Sequence, residues 1–155
     1  MRAALYVIEI INGEFQESGF EKHMGALIEK EHYLALADSL IVCKFGMRSA
    51  KCTVPVLTDL YRALTGIELT ERELLLAGER IWNFERIYNL SEGIEEDMPA
   101  PRLFREDLDD GKAGGQALSM ERFLKARSMY YEARGWNEKG VPTEDKLKEL
   151  ELNVH

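Results

Sequence analysis

Cysteine and histidine are scarce in this chain, which has two cysteines and three histidines among 155 residues. Cys43 and Cys52 lie nine positions apart, and two thiols cannot build the disulfide framework of a small secreted domain. His23, His32 and His155 show neither an i, i+4 pairing nor a close spacing to a cysteine. Because a self-contained zinc site usually needs about four closely spaced ligands, no such site is expected.

Long apolar runs are also lacking. The longest tract near the start, residues 3–8, ends at Glu9 and is far shorter than the ~18 residues of a membrane span. Its only flanking positive charge is Arg2, and no small-residue cleavage site follows, so a signal peptide is not expected. We therefore expect a cytoplasmic protein without a membrane partner.

Positively charged residues are also fewer than negatively charged ones. Twenty Lys plus Arg face 28 Asp plus Glu, which gives a formal net charge of −8. Residues 92–110 hold eight acids against two arginines, so this stretch alone carries −6. A nucleic-acid partner is not expected, because no basic face is visible that could neutralise phosphates. The acidic stretch itself is typical of a solvated loop.

What the chain does contain is helical periodicity. Its length and 45% hydrophobic content predict one all-α domain over residues 1–155 that needs no disulfide to form a core. A first helix is predicted over about 21–40, continuing to a cap at Gly46. Its apolar positions are Met24, Leu27, Ile28, Leu34 and Ala35. The β-branched residues around Val7 admit either a short strand or a buried helix start.

Capping signals divide the rest of the chain. Pro55 opens a second helix that ends at residues 65–66, and a capping box at residues 70–73 opens a third, to about residue 89. Its expected buried stripe is Leu74, Gly78, Ile81, Glu85 and Tyr88, and Ile81 is expected to be deeply buried. Residues 92–118 hold several Pro and Gly breakers and are predicted to form a long acidic loop.

Two more helices are predicted after that loop. Ser119 caps a fourth helix that runs to Arg134 and stops at Gly135, and a short last helix spans about 142–150. The side chains expected to face inward on the fourth helix are Met120, Phe123, Leu124, Tyr130 and Tyr131.

Three segments carry a family resemblance. Residues 38–45 read DSLIVCKF, residues 78–89 read GERIWNFERIYN, and residues 130–143 read YYEARGWNEKGVPT. In this order they resemble motifs in the C-terminal helical domain of tungsten-containing aldehyde:ferredoxin oxidoreductases. The resemblance covers about residues 34–152.

The resemblance implies a function for the complete enzyme. Members oxidise aldehydes to carboxylic acids at a tungsten held by two pterins and pass electrons through a [4Fe–4S] cluster to ferredoxin. Within residues 38–43, it implies that Asp38 and Val42 are cofactor-binding and that Cys43 is the fourth cluster ligand. The family motif has glycine where this chain has Ile41, and leucine where it has Val42. Asp38 and Cys43 are chemically suited, since carboxylates accept from pterin N–H groups and thiolates bind iron.

Structural interpretations of the same residues remain open. Cys43 could be a small buried hydrophobe, and Asp38 could bond local backbone groups. A buried ion network that fixes helix packing is preferred over catalysis for Glu79, Arg80, Glu85 and Arg86. Core aromatics with satisfied polar ends are expected at Tyr130, Tyr131 and Trp136.

Two cysteines cannot complete a four-cysteine cluster, so the isolated chain is expected to hold no cofactor and to be inactive. The favoured function is therefore a domain or subunit of a larger oxidoreductase. Its expected partners are the remaining domains, or a separate chain that carries them, and ferredoxin. The alternative is a cofactor-free helical interaction module on the same fold.

Overall fold

A computed structural model describes residues 17–49, 52–94, 97–106 and 117–152. In those ranges the chain forms six α-helices and a 3₁₀ turn, with no strand beyond one isolated bridge between Trp136 and Pro142. The all-α prediction is confirmed. The short strand considered near Val7 lies outside the described residues.

The first helix ends earlier than expected. α1 spans Glu17–Ser39, and a separate helix, α2, spans Lys44–Ser49. The chain leaves α1 through a Schellman turn: the Val42 N–H donates to the Ala37 carbonyl and the Ile41 N–H donates to the Asp38 carbonyl. The cap predicted at Gly46 is therefore wrong, because the left-handed position falls at Ile41 and Gly46 lies inside α2.

The next two helices begin and end where their capping residues predict. α3 spans Val54–Thr65 and ends at Gly66, which has the left-handed φ of 71°. α4 spans Glu71–Ser91 behind a complete capping box, in which Thr70 accepts from the Glu73 amide and the Glu73 carboxylate accepts from the Thr70 N–H.

The C-terminal part is built from shorter elements. A 3₁₀ turn, Pro101–Phe104, lies within the predicted acidic loop, of which residues 95–96 and 107–116 lie outside the description. α5 spans Met120–Arg134 and α6 spans Glu144–Glu149, with Ser119 and Thr143 as N-caps. Both helices were predicted, including the left-handed stop at Gly135.

Helices α1 and α4 form the centre of the fold. They cross at Gly78, where a Cβ would lie 2.4 Å from the His32 carbonyl oxygen, so the two backbones are in direct contact. One core cluster joins α1, α3 and α4 through Leu36, Leu57 and Leu74. A smaller cluster of Leu118 and Ala126, with Phe104 and Phe123 against it, holds the 3₁₀ turn on α5.

The buried stripe of α4 differs from the expected one. Leu74 and Gly78 are buried, but Ile81 is half-buried, Glu85 is exposed and Tyr88 is 59% exposed. The second half of the helix instead buries polar residues, Asn83 and Arg86. On α5 the prediction is likewise wrong for Met120 and Leu124, which are 43% and 40% exposed, while Ala126 and Arg134 are buried.

Candidate functional site

The residues that the sequence singles out lie on the turn between α1 and α2. Ile41 has a φ of 56°, a left-handed conformation that is costly for a β-branched residue. Its side chain is 93% exposed, so it makes little contact that could offset this strain. The turn projects Ile41 from the surface between Asp38 and Cys43.

Cys43 lies immediately after this turn and is exposed. The interpretation of Cys43 as a small buried hydrophobe is therefore wrong. Its Sγ lies 3.5 Å from the backbone nitrogen of Gly46, whose N–H donates to it. Phe45, two residues further on, is also 74% exposed. The thiol is thus held at the surface with an N–H group directed at its sulfur.

Asp38, near the end of α1, is also at the surface. Its Oδ2 accepts a hydrogen bond from Lys44 Nζ at 2.7 Å, across the turn that carries Cys43. Both side chains remain largely in solvent, with 62% of Asp38 and 48% of Lys44 exposed, so the ion pair contributes little to stability. Asp38 and Cys43 therefore belong to one exposed loop.

Two other residues of this region, unlike Asp38 and Cys43, have side chains directed at the core. The side chains of Val42 and Cys52 are half-buried and pack against the Leu36, Leu57 and Leu74 cluster. Val42 thus anchors the turn to the core.

A second notable region is a buried polar network centred on Arg134 of α5. Its guanidinium donates to the Glu31 carboxylate and to His32 Nε2, and it lies over the rings of Trp82, Tyr130 and Trp136. The Tyr130 hydroxyl also donates to Glu31, at 2.8 Å. A buried charge is tolerable only when it is paired and hydrogen-bonded, and here both conditions hold.

Burial shifts the ionisation of these groups. Removal from water, reinforced by the adjacent Arg134 guanidinium, lowers the pKa of His32 to about 4. Burial also raises the pKa of Glu31, although Arg134 and Tyr130 act in the opposite direction. At neutral pH His32 is therefore neutral, and its Nε2 can accept from Arg134.

Arg86 organises the other side of the same core. Its Nε donates to the Gly140 carbonyl at 2.8 Å, and its terminal nitrogens pair with Asp97 at 3.2 Å. The Tyr131 hydroxyl donates to Asp97 at 2.7 Å, and its burial together with that carboxylate raises the pKa of Tyr131 to about 12. Gly140 has a φ of 72°, and it lies so close to the Arg86 and Tyr131 side chains that a Cβ would clash with both.

The predicted ion network is partly confirmed. Arg86 is buried and paired with Asp97, and half-buried Glu79 pairs with Lys146 at 3.1 Å. Arg80 forms a more exposed ion pair with Glu151, whereas Glu85 is exposed. The contacts of Glu79 and Arg80 join α4 to the C-terminal segment, in agreement with a packing role.

A cavity of about 620 Å³ lies between α1, α4, α5 and the segment around residues 97–99. Glu31, Arg86, Asp97, Tyr130 and Tyr131 contribute to its walls. These groups bond one another, so the cavity wall is a satisfied polar network. The expectation of core aromatics with satisfied polar ends is met here: Trp136 Nε1 also has an acceptor, the Oδ1 of Asn83, at 2.8 Å.

Sequence reasoning missed the network of Glu31, His32 and Arg134. A signal was present, because Glu31 continues the spacing of Met24, Leu27 and Ala35 on α1. A charged residue in an apolar stripe at helical spacing indicates a buried partner of opposite charge.

The described ranges contain neither a cluster of metal-binding side chains nor a helix that could span a membrane. No group of three or more His, Cys, Asp or Glu side chains lies close enough there to hold a metal ion. Nor does any helix in those parts of the chain combine the length and apolar character needed to cross a bilayer. A metal centre at Cys43 would need ligands from beyond these residues.

Comparison with known proteins agrees with the resemblance. Residues 1–152 match the family described as "Aldehyde ferredoxin oxidoreductase, domains 2 & 3". A tungsten-containing aldehyde ferredoxin oxidoreductase of Pyrococcus abyssi is 38% identical over 97 residues, which cover 61% of this chain and 16% of that protein. The protein of the same name from Pyrococcus furiosus is 33% identical over 130 residues, which cover 80% of this chain and 20% of that protein.

A further relative has a different name. The "Aliphatic sulfonate oxidoreductase, WOR-like subunit" of Pyrococcus furiosus is 31% identical over 135 residues, covering 83% of this chain and 20% of that protein. The matched segments thus span between about a sixth and a fifth of each of these relatives. The match over nearly the whole chain shows that it belongs to the aldehyde ferredoxin oxidoreductase family, in the part described as domains 2 and 3.

Proposed function

We propose that this chain is the C-terminal domain or subunit of a tungsten-pterin aldehyde ferredoxin oxidoreductase, where it supplies one cluster ligand and one pterin contact. The observation that carries the proposal is the exposed Cys43 thiol on the turn after α1. The family match and the relatives' names support the oxidoreductase class. The assignments of the cluster ligand and the pterin contact come from the resemblance of residues 38–43 to the family motif.

Cys43 has the properties of a ligand to a cluster shared with another domain. Iron–sulfur clusters are commonly held by four thiolates, and the described residues offer one other cysteine, Cys52, which is half-buried. The remaining ligands would therefore come from outside this chain. The Gly46 N–H directed at Sγ would stabilise thiolate charge, a contact known to influence cluster potentials.

Asp38 would contact the pterin, and Val42 would contact a cofactor from the same loop. The exposed Asp38 carboxylate can accept from pterin N–H donors, and Lys44, its present partner, is itself exposed and free to rearrange. The Val42 side chain packs on the core and its N–H donates to Ala37. A contact from Val42 to a cofactor would therefore use its carbonyl oxygen.

In the complete enzyme, the tungsten-pterin centre would supply the oxidation of aldehyde to carboxylate, and the cluster would supply the route for electrons to ferredoxin. This chain's residues would hold and orient these groups, while Arg134 and Arg86 keep the supporting helices fixed. Ile41, strained and exposed between the two proposed ligands, is the feature that favours the cofactor-free interaction module as the second candidate.

The test compares cysteine variants in the complete assembly, either the full-length protein or the complex with the remaining domains, purified without oxygen. We expect the broad visible absorption of an iron–sulfur cluster with the unchanged chain and with Cys52→Ala. We expect Cys43→Ala to lose that absorption or to leave an oxygen-labile cluster. Asp38→Asn should reduce the pterin retained while the cluster absorption persists.

Normal cluster absorption and normal aldehyde oxidation with Cys43→Ala would contradict the ligand assignment. An unchanged assembly that contains neither iron nor tungsten would instead support the interaction module. Iron and tungsten contents measured on the same samples separate these two outcomes.

A further inference from the structure

The cavity between α1, α4 and α5 has a wall that holds a carboxylate. Arg86 meets both carboxylate oxygens of Asp97: its Nη1 donates to Oδ1 at 3.2 Å, and its Nη2 lies 3.2 Å from Oδ2. The Tyr131 hydroxyl donates to the same Oδ2 at 2.7 Å. Contact of one guanidinium with both oxygens is the geometry by which arginine recognises carboxylates. Arg86 and Tyr131 thus form a three-donor carboxylate site, which we call the Arg86 clamp.

The donors of the clamp are held in place by contacts other than Asp97. Arg86 Nε donates to the Gly140 carbonyl at 2.8 Å, and its guanidinium lies 5.3 Å from the centre of the Trp136 ring. Arg86 and Tyr131 are only 6% and 4% exposed, whereas 47% of the Asp97 side chain is exposed. The donors are therefore preorganised inside the protein, and the carboxylate that they hold is open to solvent.

The rest of the cavity is suited to an apolar chain. Its volume of about 620 Å³ is ordinary for a site that binds a small molecule. Such sites have mostly apolar and aromatic walls with a few polar groups that fix the orientation of the ligand. The apolar and aromatic side chains of this wall include Met24, Leu27, Trp82, Phe123, Ala126 and Tyr130. The clamp supplies the few polar groups.

The charges of the wall favour an anionic ligand over a cationic one. Aromatic rings can bind a cation, but four of the lining rings already have a guanidinium over them, from Arg127 or Arg134. The Glu31 carboxylate is paired with Arg134, and Glu85 is exposed to solvent. A cationic ligand would therefore meet arginines, whereas a carboxylate that replaces the one in the clamp leaves the charge balance unchanged.

We infer that this cavity binds a small carboxylic acid with an apolar chain. The ligand carboxylate takes the place of Asp97 in the Arg86 clamp, and its chain packs against the aromatic wall. Asp97 is the internal competitor that the ligand displaces. Burial of the apolar chain favours the ligand, because the short Asp97 side chain is half in solvent and gains no such burial. The inference is independent of the proposed function, since neither Asp38 nor Cys43 takes part.

The test measures ligand binding to the full chain by tryptophan fluorescence. The chain has two tryptophans, Trp82 and Trp136, and both line the cavity. Phenylacetate is the probe, phenylacetamide is its uncharged control, and acetate is the control without an apolar group. We expect a saturable change with phenylacetate, and we expect both controls to bind about tenfold or more weakly.

The variant Asp97→Ala removes the competitor and leaves the donors of the clamp in place. It should bind phenylacetate about tenfold or more tightly than the unchanged chain does, and phenylacetate should raise its melting temperature. Addition of Tyr131→Phe to this variant removes one donor and should weaken binding about tenfold.

Asp59→Ala is the matched control. Asp59 is also an exposed carboxylate paired with an arginine, Arg62, but it lies on α3 and does not line the cavity. Its replacement should leave the affinity for phenylacetate unchanged. Tighter binding by Asp59→Ala, equal to that of Asp97→Ala, would show an effect of net charge and would overturn the clamp as the ligand site.

The comparison of ligands remains decisive if circular dichroism shows that Asp97→Ala does not fold. With the unchanged chain, no saturable change with phenylacetate overturns the inference. Equal affinity for phenylacetate and phenylacetamide overturns it as well, because the clamp then recognises no charge, and so does equal affinity for phenylacetate and acetate. A folded Asp97→Ala that binds phenylacetate no more tightly than the unchanged chain shows that Asp97 is not displaced, which also overturns it.

Discussion

Gly78 of α4 lies directly against the backbone carbonyl of His32 in α1. A Cβ at position 78 would lie 2.4 Å from that oxygen and 3.0 Å from Leu36 Cγ, so the central helix crossing requires glycine. We expect Gly78→Ala to lower the free energy of unfolding by about 2 kcal/mol, because backbone displacement outweighs alanine's helix preference.

Gly25 provides the matched control in α1. A Cβ there would meet no atom within 4 Å, so Gly25→Ala should raise the free energy of unfolding by up to about 1 kcal/mol. Urea denaturation followed by circular dichroism measures both changes. Equal effects of the two substitutions would contradict the close helix crossing.

Ile41 adopts the left-handed conformation that normally belongs to glycine in a Schellman turn. Replacement by glycine removes a strain of about 1–2 kcal/mol from the folded state. Glycine also gives the unfolded chain more conformational freedom, which offsets about 0.5–1 kcal/mol of that gain. We therefore expect Ile41→Gly to raise the melting temperature slightly. Leu60→Gly, at an exposed position inside α3, should lower it; a lower melting temperature for both would contradict the strain at Ile41.

Asn83 is completely buried and bonds in two directions. Its Oδ1 accepts from Trp136 Nε1, and its Nδ2 donates to the Glu79 carbonyl. Asn83→Ala leaves the indole N–H buried without its acceptor and should cost about 2–4 kcal/mol. Asn89→Ala, an exposed position on the same helix, should change stability by less than about 0.5 kcal/mol.

The coupling between Asn83 and Trp136 can be measured directly. In chemical denaturation, Asn83→Ala combined with Trp136→Phe should cost clearly less than the sum of the single changes, because the donor and acceptor are removed together. Additive costs would show that the indole hydrogen bond contributes nothing of its own.

Local signals predicted most of the fold, and long-range pairing was what they could not predict. The capping box at Thr70 and the stop at Gly135 act within one helical turn, so sequence alone located them. Arg86 and Arg134 are buried because partners up to about a hundred residues away neutralise them. Helical spacing can indicate that such a partner exists, as it does for Glu31, but it does not identify which residue the partner is. The early end of α1 was missed because the turn uses Ile41, a residue that gives no left-handed signal.

For the candidate site, the sequence identified the residues but not their exposure to solvent. The motif resemblance singled out Asp38 and Cys43, and only the structure could show that both lie exposed on one loop. Cys43 among apolar neighbours had looked equally suited to a core position. Its neighbours Ile41 and Phe45 are also exposed, so apolar composition alone does not place this segment in the core.

The last prediction concerns the pH dependence of folding through His32. Its folded pKa of about 4 lies below its ordinary value of 6.5, so the unfolded chain binds a proton between these values while the folded chain does not. Unfolding therefore takes up a proton in this window, and stability from neutral His32 is present above about pH 6.5 and lost as the pH falls toward 4.

At about 1.4 kcal/mol per pKa unit, the loss through His32 is at most about 3.5 kcal/mol. His32→Gln keeps an acceptor for Arg134 but cannot titrate, so it should flatten the fall in stability between pH 6.5 and 4. Because the pKa of Glu31 is raised, Glu31 increases the stability as the pH falls toward its ordinary pKa of 4.5, which is opposite to the effect of His32. Glu31 is present in both the unchanged chain and the His32→Gln variant. The difference between the two urea-denaturation profiles across this pH range therefore isolates His32, and parallel profiles would contradict its neutral, buried state.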